Sequence, residues 1–162
     1  MPVTDVRRDH ERLTMTITTE LDASLERAWQ LWDDPRQLER WWGPPTYPAT
    51  FVDHDLTAGG HVSYYMTGPD GDQPKGWWRV LAVEPPRRLE FEDGFADGDG
   101  SPITDMPVMI IAVTLDEVAP GRTRMAVETR FPSLEAMEQI ISMGMEEGMT
   151  EAIGQIDELL AH

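Results

Sequence analysis

The sequence predicts an α+β fold: a curved antiparallel sheet with one long amphipathic helix laid across it. Two patterns predict it. Between residues 48 and 131, short alternating stretches are separated by tight turn signals. From Ser133 onward the apolar spacing changes from every second residue to every third or fourth.

The elements follow in order. Leu13, Met15, Ile17, Thr19 and Leu21 alternate with polar residues, so 11–21 reads as a half-buried strand. Ser24 is placed to cap a short helix carrying Leu25, Ala28, Trp29 and Trp32 on one side. Asp33-Asp34-Pro35 breaks it, and Pro35 suits the first turn of a second helix. That helix holds Leu38, Trp41 and Trp42 and stops at Gly43-Pro44-Pro45. Six strands are then expected, at 48–56, 61–68, 75–84, 88–93, 106–117 and 122–131. Each is closed by Gly, Pro or Asp clusters, as in an antiparallel meander. Ser133 opens the final helix.

In that helix Met137, Ile141, Gly144, Met145, Gly148, Met149, Ala152, Ile156 and Leu159 fall on one broad face. Glu146, Glu147, Glu151, Asp157 and Glu158 fall on the other. An interior glycine gives up roughly 1 kcal/mol of helix propensity. Gly144 and Gly148 on the apolar face therefore imply either a close neighbour or a space lined by that face.

Composition narrows the function classes. The 162 residues suffice for one domain over 1–162, with 1–10 as a flexible lead-in. The net charge of −17 argues against nucleic acid and anionic membrane surfaces, which call for basic patches. With no cysteine, disulfides and thiol chemistry are excluded. The polar N-terminus and the lack of a long apolar run point to a cytoplasmic location and no membrane span.

Candidate site residues come from strand phase. Val62, Tyr64 and Met66 form the more apolar face of their strand, and Tyr64 could offer its hydroxyl to a ligand or bond it to backbone. In Trp77-Trp78 either Trp78, Val80 and Ala82 or the bulkier set Trp77, Leu81 and Val83 faces inward; Arg79 shares the face of the second set, which tips the reading to Trp78 inward. Leu89 with Phe91, then Met109, Ile111, Val113 and Leu115, then Met125 and Val127, complete one apolar wall. With Ile141, Met145 and Met149 from the helix, this wall either lines a pocket or fills a core. Trp42 either closes the mouth of such a pocket or clamps the helical insert onto the sheet. Arg79 and Arg124 are the strand residues that could offset the negative field beside an anionic ligand.

His54 lies between Asp53 and Asp55, but alternation puts both neighbours on its opposite face, which weakens a metal reading. His10 and His162 lie near the ends. Asp93, Asp97 and Asp99 lack the spacing of a calcium loop and read as an acidic turn. No cofactor, metal or catalytic motif is called for.

Several segments resemble a known family. They are Ala28-Trp-Gln-Leu-Trp-Asp-Asp-Pro-Arg-Gln-Leu-Glu-Arg-Trp-Trp-Gly-Pro44, Leu56-Thr-Ala-Gly-Gly-His-Val-Ser-Tyr-Tyr-Met-Thr-Gly-Pro-Asp-Gly71, Val83-Glu-Pro-Pro-Arg-Arg-Leu-Glu-Phe91, Phe131-Pro-Ser-Leu-Glu-Ala136 and Gly144-Met-Glu-Glu-Gly-Met149. Together, over about 13–161, they resemble bacterial homologues of the heat-shock-chaperone ATPase activator C-terminal domain, in the START-like (SRPBCC) superfamily. The resemblance implies a helix-grip fold: seven antiparallel strands around a long C-terminal helix, with a cavity between. It does not select an activity. A small apolar or amphipathic ligand is the first expectation. A protein-interaction module with a chaperone partner is the alternative, and a cyclase-like or hydrolase-like enzyme ranks last. A homodimer through a sheet edge stays open.

Overall fold

The computed structural model describes residues 3–161; Met1, Pro2 and His162 lie outside the described residues. Its strands are β1 (Val3–Asp9), β2 (Thr14–Leu21), β3 (Ala49–His54), β4 (His61–Met66), β5 (Lys75–Glu84), β6 (Arg88–Ala96), β7 (Met109–Ala119) and β8 (Arg122–Arg130). They form one antiparallel sheet in the order β1-β2-β8-β7-β6-β5-β4-β3. Two short helices, α1 (Leu25–Asp33) and α2 (Pro35–Leu38), separate β2 from β3. The C-terminal region is α3 (Leu134–Ser142), α4 (Met145–Gly154) and α5 (Ile156–Leu160). This is the helix-grip architecture, with one strand more than expected.

The extra strand is β1, in the segment read from sequence as a flexible lead-in. The Asp9 carboxylate accepts from the backbone N–H of Glu11 and of Arg12, both at 3.0 Å, and so closes a tight turn into β2. The hairpin it makes covers the edge that β2 would otherwise expose.

The concave face carries the core. Met15, Ile17, Val62, Trp78, Val80, Leu89, Phe91, Ile111, Val113, Leu115, Met125 and Val127 are all buried. The helical insert adds Leu31, Trp32, Leu38 and Trp41. On the opposite face lie ion pairs such as Arg79 with Glu92 at 2.8 Å and Arg124 with Glu20 at 3.5 Å. Arg79 and Arg124 therefore cannot serve as counter-charges in a cavity, because alternation turns them outward.

Two helix expectations are corrected. The second helix is a single turn, capped by the Asp34 side chain, and Trp41 and Trp42 follow in a turn rather than inside it. The long C-terminal helix is broken at Gly144, which has φ +92°. Glycine takes this left-handed conformation without the Cβ penalty that other residues meet. The break resets the helical phase, so a single wheel over 133–162 does not describe the buried face. α3 buries Ala136, Met137 and Ile140, whereas α4 and α5 bury Ala152, Ile153, Ile156 and Leu159. Ser133 caps α3 by accepting from the backbone N–H of Ala136 at 3.0 Å.

Candidate functional site

The break at Gly144 leaves a gap between the start of α4 and the sheet. A cleft of about 510 Å³ opens there. Its floor comes from β4, β6 and β7 through Tyr64, Met66, Asp93, Phe95 and Met109. Its roof comes from Ile140, Met143, Gly144, Met145, Gly148 and Met149. Trp42, Pro44 and Tyr47 form one side, with Asp72 and Pro74 on the rim. A recess of about 100 Å³ adjoins it, bordered by Tyr64, Gly76, Asp93 and Phe95 and also by Lys75.

Gly148 resolves the choice posed by the sequence. Apart from its chain neighbours and its own helix backbone, no heavy atom lies within 4 Å of where its Cβ would stand, so the glycine faces space rather than a close neighbour. Gly144 serves the backbone instead, through its positive φ.

Cross-strand register builds the polar end of the cleft. Val62, Trp78, Asp93 and Met109 sit opposite one another in a row across β4, β5, β6 and β7. The next row is Tyr64, Gly76 and Phe95. Gly76 has no side chain, and a Cβ there would collide with the Tyr64 ring. The ring therefore lies across β5, and its O–H donates to Asp93 Oδ1 at 3.1 Å. Tyr64 also stacks on Phe51, at 5.1 Å between centroids and 29° between planes.

The Asp93 side chain keeps some contact with the cleft, but its carboxyl group lies deep. Burial pushes its pKa up to about 7, against the pull of the Tyr64 O–H and the nearby Trp78 N–H. Burial, together with the Asp93 charge, also raises Tyr64 well above its ordinary value. The indole Nε1 atoms of Trp42 and Trp78 are buried without a hydrogen-bond partner. They lie close to the Tyr64 and Asp93 oxygens but complete no bond to them. A second tyrosine–aspartate pair lines the cleft, with Tyr47 O–H donating to Asp72 at 2.9 Å.

The insert holds this side of the cleft in place. Gln155, at the junction of α4 and α5, donates to the Gly43 carbonyl at 2.7 Å. Trp42 packs edge-on to Trp78 at 5.0 Å and to Tyr64 at 6.2 Å. It thus both lines the cleft and clamps the insert, the two roles the sequence left as alternatives.

Of the sequence candidates, Trp42, Tyr64, Met66, Met109, Met145 and Met149 come together around the cleft. Trp78, Phe91, Ile111, Val113, Met125 and Val127 are fully packed beneath it in the core. Ile141 is half-buried against that core and does not border the cleft. The sequence reads Asp93 as part of an acidic turn, yet it sits on β6, which runs on to Ala96. Leu89, Phe91, Asp93 is an unbroken alternation, and that signal places it inward. His54 bonds through Nε2 to the Trp32 carbonyl at 3.0 Å. Among the described residues, no cluster of histidine and carboxylate side chains could hold a metal ion.

Comparison with known proteins places this architecture. The model of the family described as activator of Hsp90 ATPase homolog 1-like protein matches residues 22–161. The chain belongs to this family. Among solved members of the fold, protein Ms6760 from Mycobacterium smegmatis is 51% identical, with a TM-score of 0.90 over 98% of this chain and 97% of that one. A protein from Arthrobacter aurescens is also 51% identical, with a TM-score of 0.94 over 98% and 92%. A Staphylococcus epidermidis protein at 26% identity keeps a TM-score of 0.84 over 98% and 94%. No curated protein matches the chain. Family membership thus fixes the helix-grip fold and leaves the role of the cleft to its own chemistry. No helix among the described residues is long and apolar enough to cross a membrane.

Proposed function

We propose that this protein binds a small apolar or amphipathic molecule in the cleft between the sheet and α4. The observation that carries the reading is Gly148, which opens onto unfilled space at the centre of an otherwise apolar roof. A cleft of about 510 Å³ falls within the size range of small-molecule sites. Burial of ligand surface supplies the driving force, at roughly 25 cal/mol per Å². The methionines around it are unbranched and adapt to ligand shape. A chaperone-docking role has less support, because the exposed large apolar side chains Val52, Val118, Leu134 and Met143 are dispersed over β3, β7 and the two ends of α3.

Gly148→Leu tests the proposal. The leucine side chain would occupy the open space, and the change from glycine adds roughly 1 kcal/mol of helix propensity to α4. The variant should fold as well as the wild type and lose at least ~10-fold in affinity for a neutral apolar dye, since filling a pocket removes the buried area that drives binding. Equal dye uptake by a folded variant would refute the placement. Native mass spectrometry of freshly purified protein should also show a bound mass that the variant lacks.

A further inference from the structure

The cleft has a polar end of one sign. The side chains that reach the Asp93 carboxyl do so as donors: the Tyr64 O–H at 3.1 Å and the nearby Trp78 indole N–H, with the Trp42 indole N–H beside the Tyr64 oxygen. These dipoles are arranged to hold a negative carboxylate. No positive side chain completes the set, since no lysine, arginine or histidine borders the cleft among the described residues. A desolvated carboxylate without a counter-ion is costly, and a cation arriving with the ligand removes that cost.

We infer that the cleft selects an amphiphile with a cationic amine head, seated against Asp93, and turns anionic amphiphiles away. The inference rests on the reading of the cleft as a ligand site and names its ligand class. An ammonium group donates up to three hydrogen bonds, which suits an oxygen-rich end that has acceptor capacity to spare. The remaining groups around it agree in sign. From the turn between β4 and β5, Asp72 adds a second carboxylate, held by the Tyr47 hydroxyl. From α4, Glu147 stands beside Gly144. Across β7, Met109 carries no charge. On β5, Lys75 borders the adjoining recess, but alternation sets it on the opposite face from Gly76 and Trp78. The net charge of −17 extends the same preference to long range.

Three probes with the same tail separate the possibilities: decylamine, decanol and decanoate, each displacing a neutral fluorescent dye below its micelle concentration. Decylamine should bind ~10-fold tighter than decanol, the scale of one charge-assisted hydrogen bond, with decanoate weakest. Amine affinity should rise roughly tenfold between about pH 6 and about pH 8 as Asp93 ionises, and that of decanol should stay flat. In Asp93→Asn the advantage of amine over alcohol should fall to within about twofold. In Tyr64→Phe the advantage should persist, with the midpoint of its pH dependence moved upward, because a donor that lowers the Asp93 pKa has gone. An amine advantage undiminished in Asp93→Asn, or decanoate binding as well as decylamine, would overturn the inference. So would a pH midpoint unmoved by Tyr64→Phe. If decanol also fails to displace the dye, the reading of the cleft as a ligand site fails with it.

Discussion

Trp78→Ala should cost about 4 kcal/mol of stability, the middle of the range for removing a buried aromatic side chain. Trp78 is wholly buried at the centre of an aromatic cluster. It stacks on Phe91 at 3.9 Å and 21°, and meets Trp42 at 5.0 Å and Phe51 at 5.6 Å edge-on. Trp32 lies 6.3 Å away and ties α1 to the same cluster. No neighbour is free to collapse into the vacated volume, since Trp32, Phe51 and Phe91 are themselves fixed by further contacts. Trp78→Phe should cost much less. It keeps the stack and deletes an indole N–H that is buried without a partner. Urea denaturation of the three proteins checks both statements, and an alanine variant within about 1 kcal/mol of wild type would contradict the first.

Asp93→Asn should stabilise the protein at neutral to alkaline pH. The sign follows from the raised pKa. The folded chain holds the Asp93 proton until about pH 7, whereas the unfolded chain releases it near the ordinary value of 3.8. Between those limits the folded state binds more protons, so stability falls as pH rises, and the contribution of the Asp93 proton is gone above the folded pKa. Asparagine cannot ionise and still accepts from the Tyr64 O–H. The variant should match wild type near pH ~4 and exceed it by roughly 2 kcal/mol near pH ~8, a full shift discounted for the part of Asp93 open to the cleft. The difference between the two denaturation curves is the readout, since other titrating groups cancel in it. A variant that loses stability at the higher pH would contradict the geometry assigned to Asp93.

The fold was legible because it depends on period. Alternation in 61–66 or 109–115 survives any detail of packing, and the turn signals mark where each strand ends. The site was legible only in part. The helical wheel put Gly144 and Gly148 on one face with one purpose, and they serve two. Gly144 breaks the helix through φ +92°, and Gly148 faces the space the break creates. Nothing local distinguishes a glycine that bends the chain from one that clears a volume. Asp93 was readable from the Leu89–Phe91 alternation, but the turn-rich residues after it masked the strand. Its partnership with Tyr64 was not readable. The two residues are on β4 and β6, which do not pair, and they meet only because Gly76 leaves the intervening strand bare. The outward turn of Arg79 and Arg124 was implicit in the same alternation. Strand β1 was missed because its residues are mostly polar, and its pairing with β2 comes from backbone bonds that leave no mark in hydropathy.

The methionine methyl groups allow the account to be tested residue by residue. Met66, Met109, Met143, Met145 and Met149 border the cleft, whereas Met15, Met125 and Met137 are wholly buried elsewhere in the core. Titration of methyl-labelled protein with decanol, followed by NMR, should shift the first group in a saturable way and leave the second in place. Saturable shifts confined to other methionines, or no saturable shift at all, would contradict the claim that this cleft is where the protein holds its ligand.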